Sequence, residues 1–149
     1  MKSKRFEPIR DLVARSADEL SRAMADSQRR VLDLERQHEQ LKNYREDYIR
    51  NATQSGGAVD AVRLQNYRAF LDRLTDVIGQ HVQKLGMARA DYESRRTLWS
   101  ERRVEAETLG RAVERFRSDE TQAADRREQR EGDETAMRVA LAATERAAR

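Results

Sequence analysis

The segment NATQSGGAVD, residues 51–60, decides how this chain folds. It is small, polar and permissive, with Gly56-Gly57 at its centre, and it reads as a turn between two helices. Before it the only proline is Pro8, close enough to the start for a first helical turn to tolerate it. After it only Gly79, Gly86, Gly110 and Gly132 interrupt the pattern. Each costs about 1 kcal/mol relative to alanine, which need not end a helix. The expected order is a helix over about 5–51, a turn over about 52–58 and a longer helix over about 59–140, with fraying or a bend expected near Gly110 or Gly132.

Both arms carry a heptad repeat. In the first, Phe6, Val13, Leu20, Ser27, Leu34, Leu41 and Tyr48 recur every seven residues, accompanied by Arg10, Ala17, Met24, Val31, His38 and Arg45. In the second, Leu64, Leu71, Ile78, Leu85, Tyr92, Trp99, Ala106 and Val113 are accompanied by Tyr67, Leu74, His81, Ala88, Arg95, Arg102, Leu109 and Phe116. Steps alternating three and four make an a/d seam, and a sustained 3.5-residue period implies left-handed supercoiling. The predicted fold is all-α, an elongated antiparallel two-helix coiled-coil hairpin within a single domain, 1–149. An arm of about 45 residues is roughly 70 Å long.

Centring the reversal on Ser55-Gly56-Gly57 predicts a register. Tyr48 pairs with Leu64, Leu41 with Leu71, Leu34 with Ile78, Ser27 with Leu85, Leu20 with Tyr92, Val13 with Trp99 and Phe6 with Ala106. This register sets Arg10 against Arg102 across the seam, so packing is expected to be best over about 20–92 and poorer toward the termini. Residues beyond about 108, including Leu109, Val113 and Phe116, have no partner in it. The stretch from Arg117 to Arg138 is almost devoid of large apolar residues, and i,i+4 pairs such as Arg127–Glu131 give it little support. A helix of that kind is marginal alone, so this tail is expected to be mobile until a partner orders it.

Composition narrows the functional classes. Of 149 residues, 38% are charged and 5% aromatic, and there is no cysteine, which removes disulfides, thiolate metal sites and cysteine nucleophiles. No apolar run approaches the length of a membrane span, and no signal peptide follows the basic start, so an intracellular protein without direct membrane insertion is expected. Thirty basic residues face 27 acidic ones, and the surplus is spread along the chain, so a nucleic-acid partner is not expected. No phosphate loop or nucleophile motif occurs. His38 and His81 both lie on the seam, where a polar interruption explains them better than a metal site lacking a further ligand. No enzyme activity, cofactor or metal is expected.

Two quartets add a second pattern. Gln37, Leu41, Tyr44 and Tyr48 are spaced 4, 3, 4, and so are Phe70, Leu74, Val77 and His81. Leu41, Tyr48, Leu74 and His81 belong to the seam, whereas Tyr44, Phe70 and Val77 widen the apolar stripe beyond what two helices require. They either flank and cover the seam or form an exposed aromatic patch of the kind found at interface hot spots.

These quartets, the opening RFEPIRDLVARSADEL (5–20) and the Arg/Glu-rich RREQREGDETAMR (126–138) resemble the FliJ family, coiled-coil proteins of the bacterial flagellar export apparatus, with Val77 a conservative departure and Gly132 a departure from a larger residue. The resemblance extends over nearly the whole chain. It implies a non-catalytic, cytoplasmic protein, peripheral at the inner face of the cell membrane and monomeric alone. It implies a coiled coil similar to the central stalk of rotary ATPases, one that enters and promotes the export ATPase ring. It also implies contact with the cytoplasmic domain of the membrane export gate and escort of export chaperones. By the same resemblance, Gln37, Leu41, Tyr44, Tyr48, Phe70, Leu74, Val77 and His81 are the gate-facing surface, and the open end of the hairpin enters the ring. The equivalent stalk of a virulence-type secretion system and a generic scaffold coiled coil are the alternatives.

Overall fold

The computed structural model describes residues 1–54 and 60–149, and the reversal predicted at Gly56-Gly57 lies outside them. Two helices account for the described chain: α1, Lys2–Gln54, and α2, Ala61–Ala147. They pair as an antiparallel helical hairpin with a longer second helix. α2 is continuous through Gly79, Gly86, Gly110 and Gly132. A Cβ at any of the four meets nothing within 4 Å, so none is a site of close packing. The helix start at Lys2 is earlier than expected and puts Pro8 inside the helix rather than in its first turn. That proline leaves one carbonyl without its intrahelical donor.

The helix contacts fall into two compact units, residues 17–101 and residues 1–16 with 102–149. In the unit 17–101, Val31, Leu85 and Ala88 form the buried cluster, with Leu34 and Tyr92 packed against it. Ser27, Leu74 and His81 are also buried. The rings of His38 and His81 stack with centroids 6.0 Å apart and planes within 3°. Glu35 pairs with Arg89 at 3.1 Å. These partners correct the predicted register by one heptad: Leu34 belongs with Leu85 rather than Ile78.

The other unit shows the same displacement. Phe6 meets Phe116, not Ala106, with centroids 5.4 Å apart. Val113 is the most thoroughly buried residue described, at 0% exposure. The Ser3 backbone N–H and hydroxyl both donate to the Glu120 carboxylate, the former at 3.0 Å. Arg117 donates to Glu7 at 2.7 Å. The expectation that residues past about 108 lack a partner in α1 therefore fails as far as Glu120. The expectation of poorer packing toward the termini holds only in part: seven of the nine buried residues described lie between 17 and 88, while Ser3 and Val113 are buried nearer the chain ends.

The physical reason is the identity of the facing residues. The glycine-centred register faces Arg10 with Arg102, His38 with Leu74 and His81 with Val31, and it strands Val113 and Phe116. Sliding one heptad sets histidine on histidine and buries Val113 and much of Phe116. Covering a valine or phenylalanine is worth roughly 1.5–3 kcal/mol. Centring glycine in the turn is worth at most about 1 kcal/mol per residue.

Past Glu120 the helix continues, but every residue from 121 to 149 is exposed. It is the pairing with α1, not the helix, that stops there. Within it Arg138 lies 3.9 Å from Glu134, while no ion pair joins Arg127 to Glu131 among the described residues.

The register predicts that Leu34→Cys with Leu85→Cys will form an intramolecular disulfide under mild oxidation, detectable by gel mobility in this cysteine-free chain, and that Leu34→Cys with Ile78→Cys will not. Val113→Ala is expected to lower stability by about 2 kcal/mol in denaturant melts, through lost burial and the void left behind. Glu120 titrates below its usual range, chiefly because the Ser3 hydroxyl and then the Ser3 N–H donate to it. A carboxyl lowered in the folded state adds stability above its unfolded value and loses it as pH falls through the folded value. NMR titration should therefore show the α1 start loosening only at acid pH, and Ser3→Ala should return Glu120 toward the ordinary carboxylate range.

Candidate functional site

The two quartets lie in the unit 17–101, where the antiparallel pairing brings them side by side. The eight residues do not form one surface. Leu74 and His81 are buried in the seam, at 8% and 9% exposure. The His81 Nε2 is 2.8 Å from the Leu34 carbonyl, which as an acceptor assigns the ring proton to Nε2. Nδ1 of His38 is buried with no hydrogen-bond partner among the described residues. Leu41, Tyr48 and Phe70 are half-buried, and Gln37, Tyr44 and Val77 are exposed.

The heptad explains this division. Gln37 and Tyr44 precede seam positions of α1 by one residue, and Phe70 and Val77 do the same on α2. Such positions lie beside the seam, and in an antiparallel pair those of both helices share one flank. Tyr44 accordingly meets the Phe70 ring edge-on, with centroids 6.3 Å apart and planes at 71°. One heptad away, Gln37 and Val77 occupy the same flank. Tyr44 and Val77 remain 54% and 47% exposed. Among the described residues the flank presents an apolar strip.

A stack beneath fixes its aromatic half. Tyr48 lies 4.5 Å from Phe70 and 5.3 Å from Tyr67, the latter nearly parallel at 12°. Phe70 thereby contacts Tyr48 and Tyr44 at once. Tyr67 completes this cluster, which reading the quartets alone does not include. Its place on the α2 seam is the signal that points to it.

The opposite flank is polar. Glu35 pairs with Arg89 there, and the Arg45 guanidinium donates to the Thr75 hydroxyl at 3.3 Å. The contrast between a flank with an aromatic pair and one with an ion pair and a guanidinium–hydroxyl hydrogen bond gives the unit two chemically distinct sides. In the other unit the N-terminal clamp is likewise ionic. Glu7 holds the Arg117 guanidinium above its ordinary value, first through their hydrogen bond and then through its charge.

Among the described residues no cluster of three or more histidine, aspartate or glutamate side chains could hold a metal ion. The surface offers contact area rather than convergent reactive groups.

The family model described as "Flagellar FliJ protein" matches residues 1–145. No curated protein and no solved structure matches the chain. Because that match runs through both helices, the chain belongs to the flagellar FliJ family, whose members are non-catalytic components of the flagellar protein export apparatus.

Proposed function

We propose that the chain is the stalk-like subunit of the flagellar export machinery: it enters and promotes the export ATPase ring, links the ring to the cytoplasmic domain of the membrane export gate, and escorts export chaperones. The observation that carries this reading is the bare end of α2, helical but without α1 contacts after Glu120. A helix this polar gains little from standing alone in water. A ring lumen offers it surroundings on all sides, and its covered base, clamped by Ser3, Glu7 and Phe6, supplies a fixed mounting. The family assignment favours the flagellar system over the virulence-type one, and pairing of α1 with α2 within one chain favours a stalk over a scaffold whose seam forms between chains.

The gate-facing surface in this reading is the flank bearing Gln37, Tyr44, Phe70 and Val77. Leu41 and Tyr48 back it, while Leu74 and His81 hold the helices together beneath it. Exposed aromatic side chains of this kind contribute large contact area to a partner. The site of action is the cytoplasmic side of the membrane, at its inner face. No described helix is long and apolar enough to cross a membrane.

Two experiments test this reading. Titrating the chain into the cognate flagellar export ATPase should raise its steady-state ATP hydrolysis. Removing residues 121–149 should abolish that stimulation, and its persistence after truncation would sink the ring assignment. Separately, Tyr44→Ala with Phe70→Ala should weaken binding to the gate domain by about tenfold or more with ATPase stimulation intact and helicity unchanged by circular dichroism. A fall in helicity would show that the pair serves the hairpin instead.

A further inference from the structure

We propose that the bare end of α2 is also a self-association surface, on which residues 123–141 pair antiparallel with the same residues of a second copy of this chain. Extending the α2 seam by heptads past Val113, Phe116 and Glu120 gives Ala123, Arg127, Arg130, Glu134, Met137 and Leu141. Met137 and Leu141 are 68% and 59% exposed. Among the described residues, the side chains of Arg126, Arg130, Glu131 and Asp133 have no ion-pair partner, and Glu134 meets Arg138 only at 3.9 Å. The segment therefore holds unspent charge of both signs between two small apolar ends.

The order of those charges is self-complementary in one antiparallel register. With Arg130 facing Glu134 of the second copy, Ala123 faces Leu141 and the Arg127 stem lies along Met137, its head reaching water. The flanks follow the geometry that sets Tyr44 beside Phe70 and Glu35 beside Arg89 in the hairpin. On one flank Arg126 faces Asp133, and on the other Glu131 faces Arg138. A two-fold axis makes every one of these pairs twice.

Neighbouring registers are repulsive. A heptad slip one way sets Arg126 on Arg126, Glu131 on Glu131 and Asp119 on Asp133. A slip the other way sets Asp133 on Asp133, Arg138 on Arg138 and Glu131 on Glu145. Like charges across flanking positions are a recognised means of excluding a coiled-coil register.

The space agrees with the charges. The second copy occupies the seam from Ala123 onward, and α1 occupies it up to the contact of Ser3 with Glu120. The partner helix thus fits as far as Leu141 and stops short of the α1 start, leaving Thr144 and beyond outside the pairing. Exposed ion pairs are individually weak and are screened by salt, so the association is a reversible equilibrium that is sensitive to ionic strength. It does not depend on the assigned export partners.

Sedimentation equilibrium of the full chain tests it. At low salt a concentration-dependent monomer–dimer equilibrium is expected, weakened by about tenfold or more in Kd at roughly 1 M salt, where the screening length is about 3 Å. Arg130→Glu and Glu134→Arg, each alone, should weaken pairing by about tenfold or more. An equimolar mixture of the two variants should pair again as the wild type does, because one chain then presents two acids where the other presents two arginines. Loss of helicity within a single variant cannot produce that recovery. A wild type that stays monomeric at every concentration reached, single variants that pair undiminished, or a mixture no tighter than its components would each overturn the proposal.

Discussion

The structure depends on which seven-residue offset lets the large seam residues find suitable partners. A two-helix seam has little interior, so few positions are deeply covered, and among the described residues Val113 alone is completely buried. Each such position therefore weighs heavily. One heptad of displacement decides whether Val113 and Phe116 pack against α1 or stand in water, and whether His38 meets an apolar residue or His81. The clamp of Ser3 with Glu120 and Glu7 with Arg117 follows from that choice. So does the point at which α1 ceases to cover α2.

This dependence explains what was legible in the sequence. The fold class follows from the period itself, because an apolar repeat every 3.5 residues with almost no proline or glycine leaves few alternatives to paired long helices. The offset does not follow from the period, since a heptad pattern maps onto itself after a slip of seven. Only the chemistry of individual facing pairs separates one register from the next. Arg10 against Arg102 was a visible mark against the glycine-centred register, and the stranded Leu109, Val113 and Phe116 were a second. Together they outweigh the turn preference of Gly56-Gly57. Pro8 misleads for a related reason: tertiary contacts at Ser3 and Phe6 extend the helix ahead of it despite the lost backbone bond.

The candidate surface was legible residue by residue to the extent that seam and flank positions differ. Tyr44 and Val77 lie off the seam and are exposed, while Leu74 and His81 lie on it and are buried. Phe70 is intermediate, because a flank aromatic large enough to bridge inward reaches Tyr48 as well as Tyr44. Side-chain size, which a heptad letter does not carry, sets that outcome. An aromatic cluster shared between seam and flank also couples the surface to the hairpin. The Tyr48 ring supports Phe70 and stacks on Tyr67, so a partner pressing on the flank presses on the pairing of the helices.

The end of α2 is where stability and function pull apart. A sequence selected only for a stable hairpin would end α2 near its last contact with α1, or continue it with apolar residues for another helix to cover. Here large apolar residues nearly vanish between Phe116 and Met137, while arginine and acid alternate in short blocks. Such a helix binds through the order of its charges more than through buried area, and that makes its contacts selective and reversible. The same residues cannot pair with a second copy and line a ring at once. Under the two proposals made above, two chains joined through residues 123–141 would hide the segment from any other partner, and a ring that took up one chain would remove it from that equilibrium. Self-pairing as proposed would then act as a competitor whose strength falls with dilution and salt, leaving the segment available where a tighter partner is present.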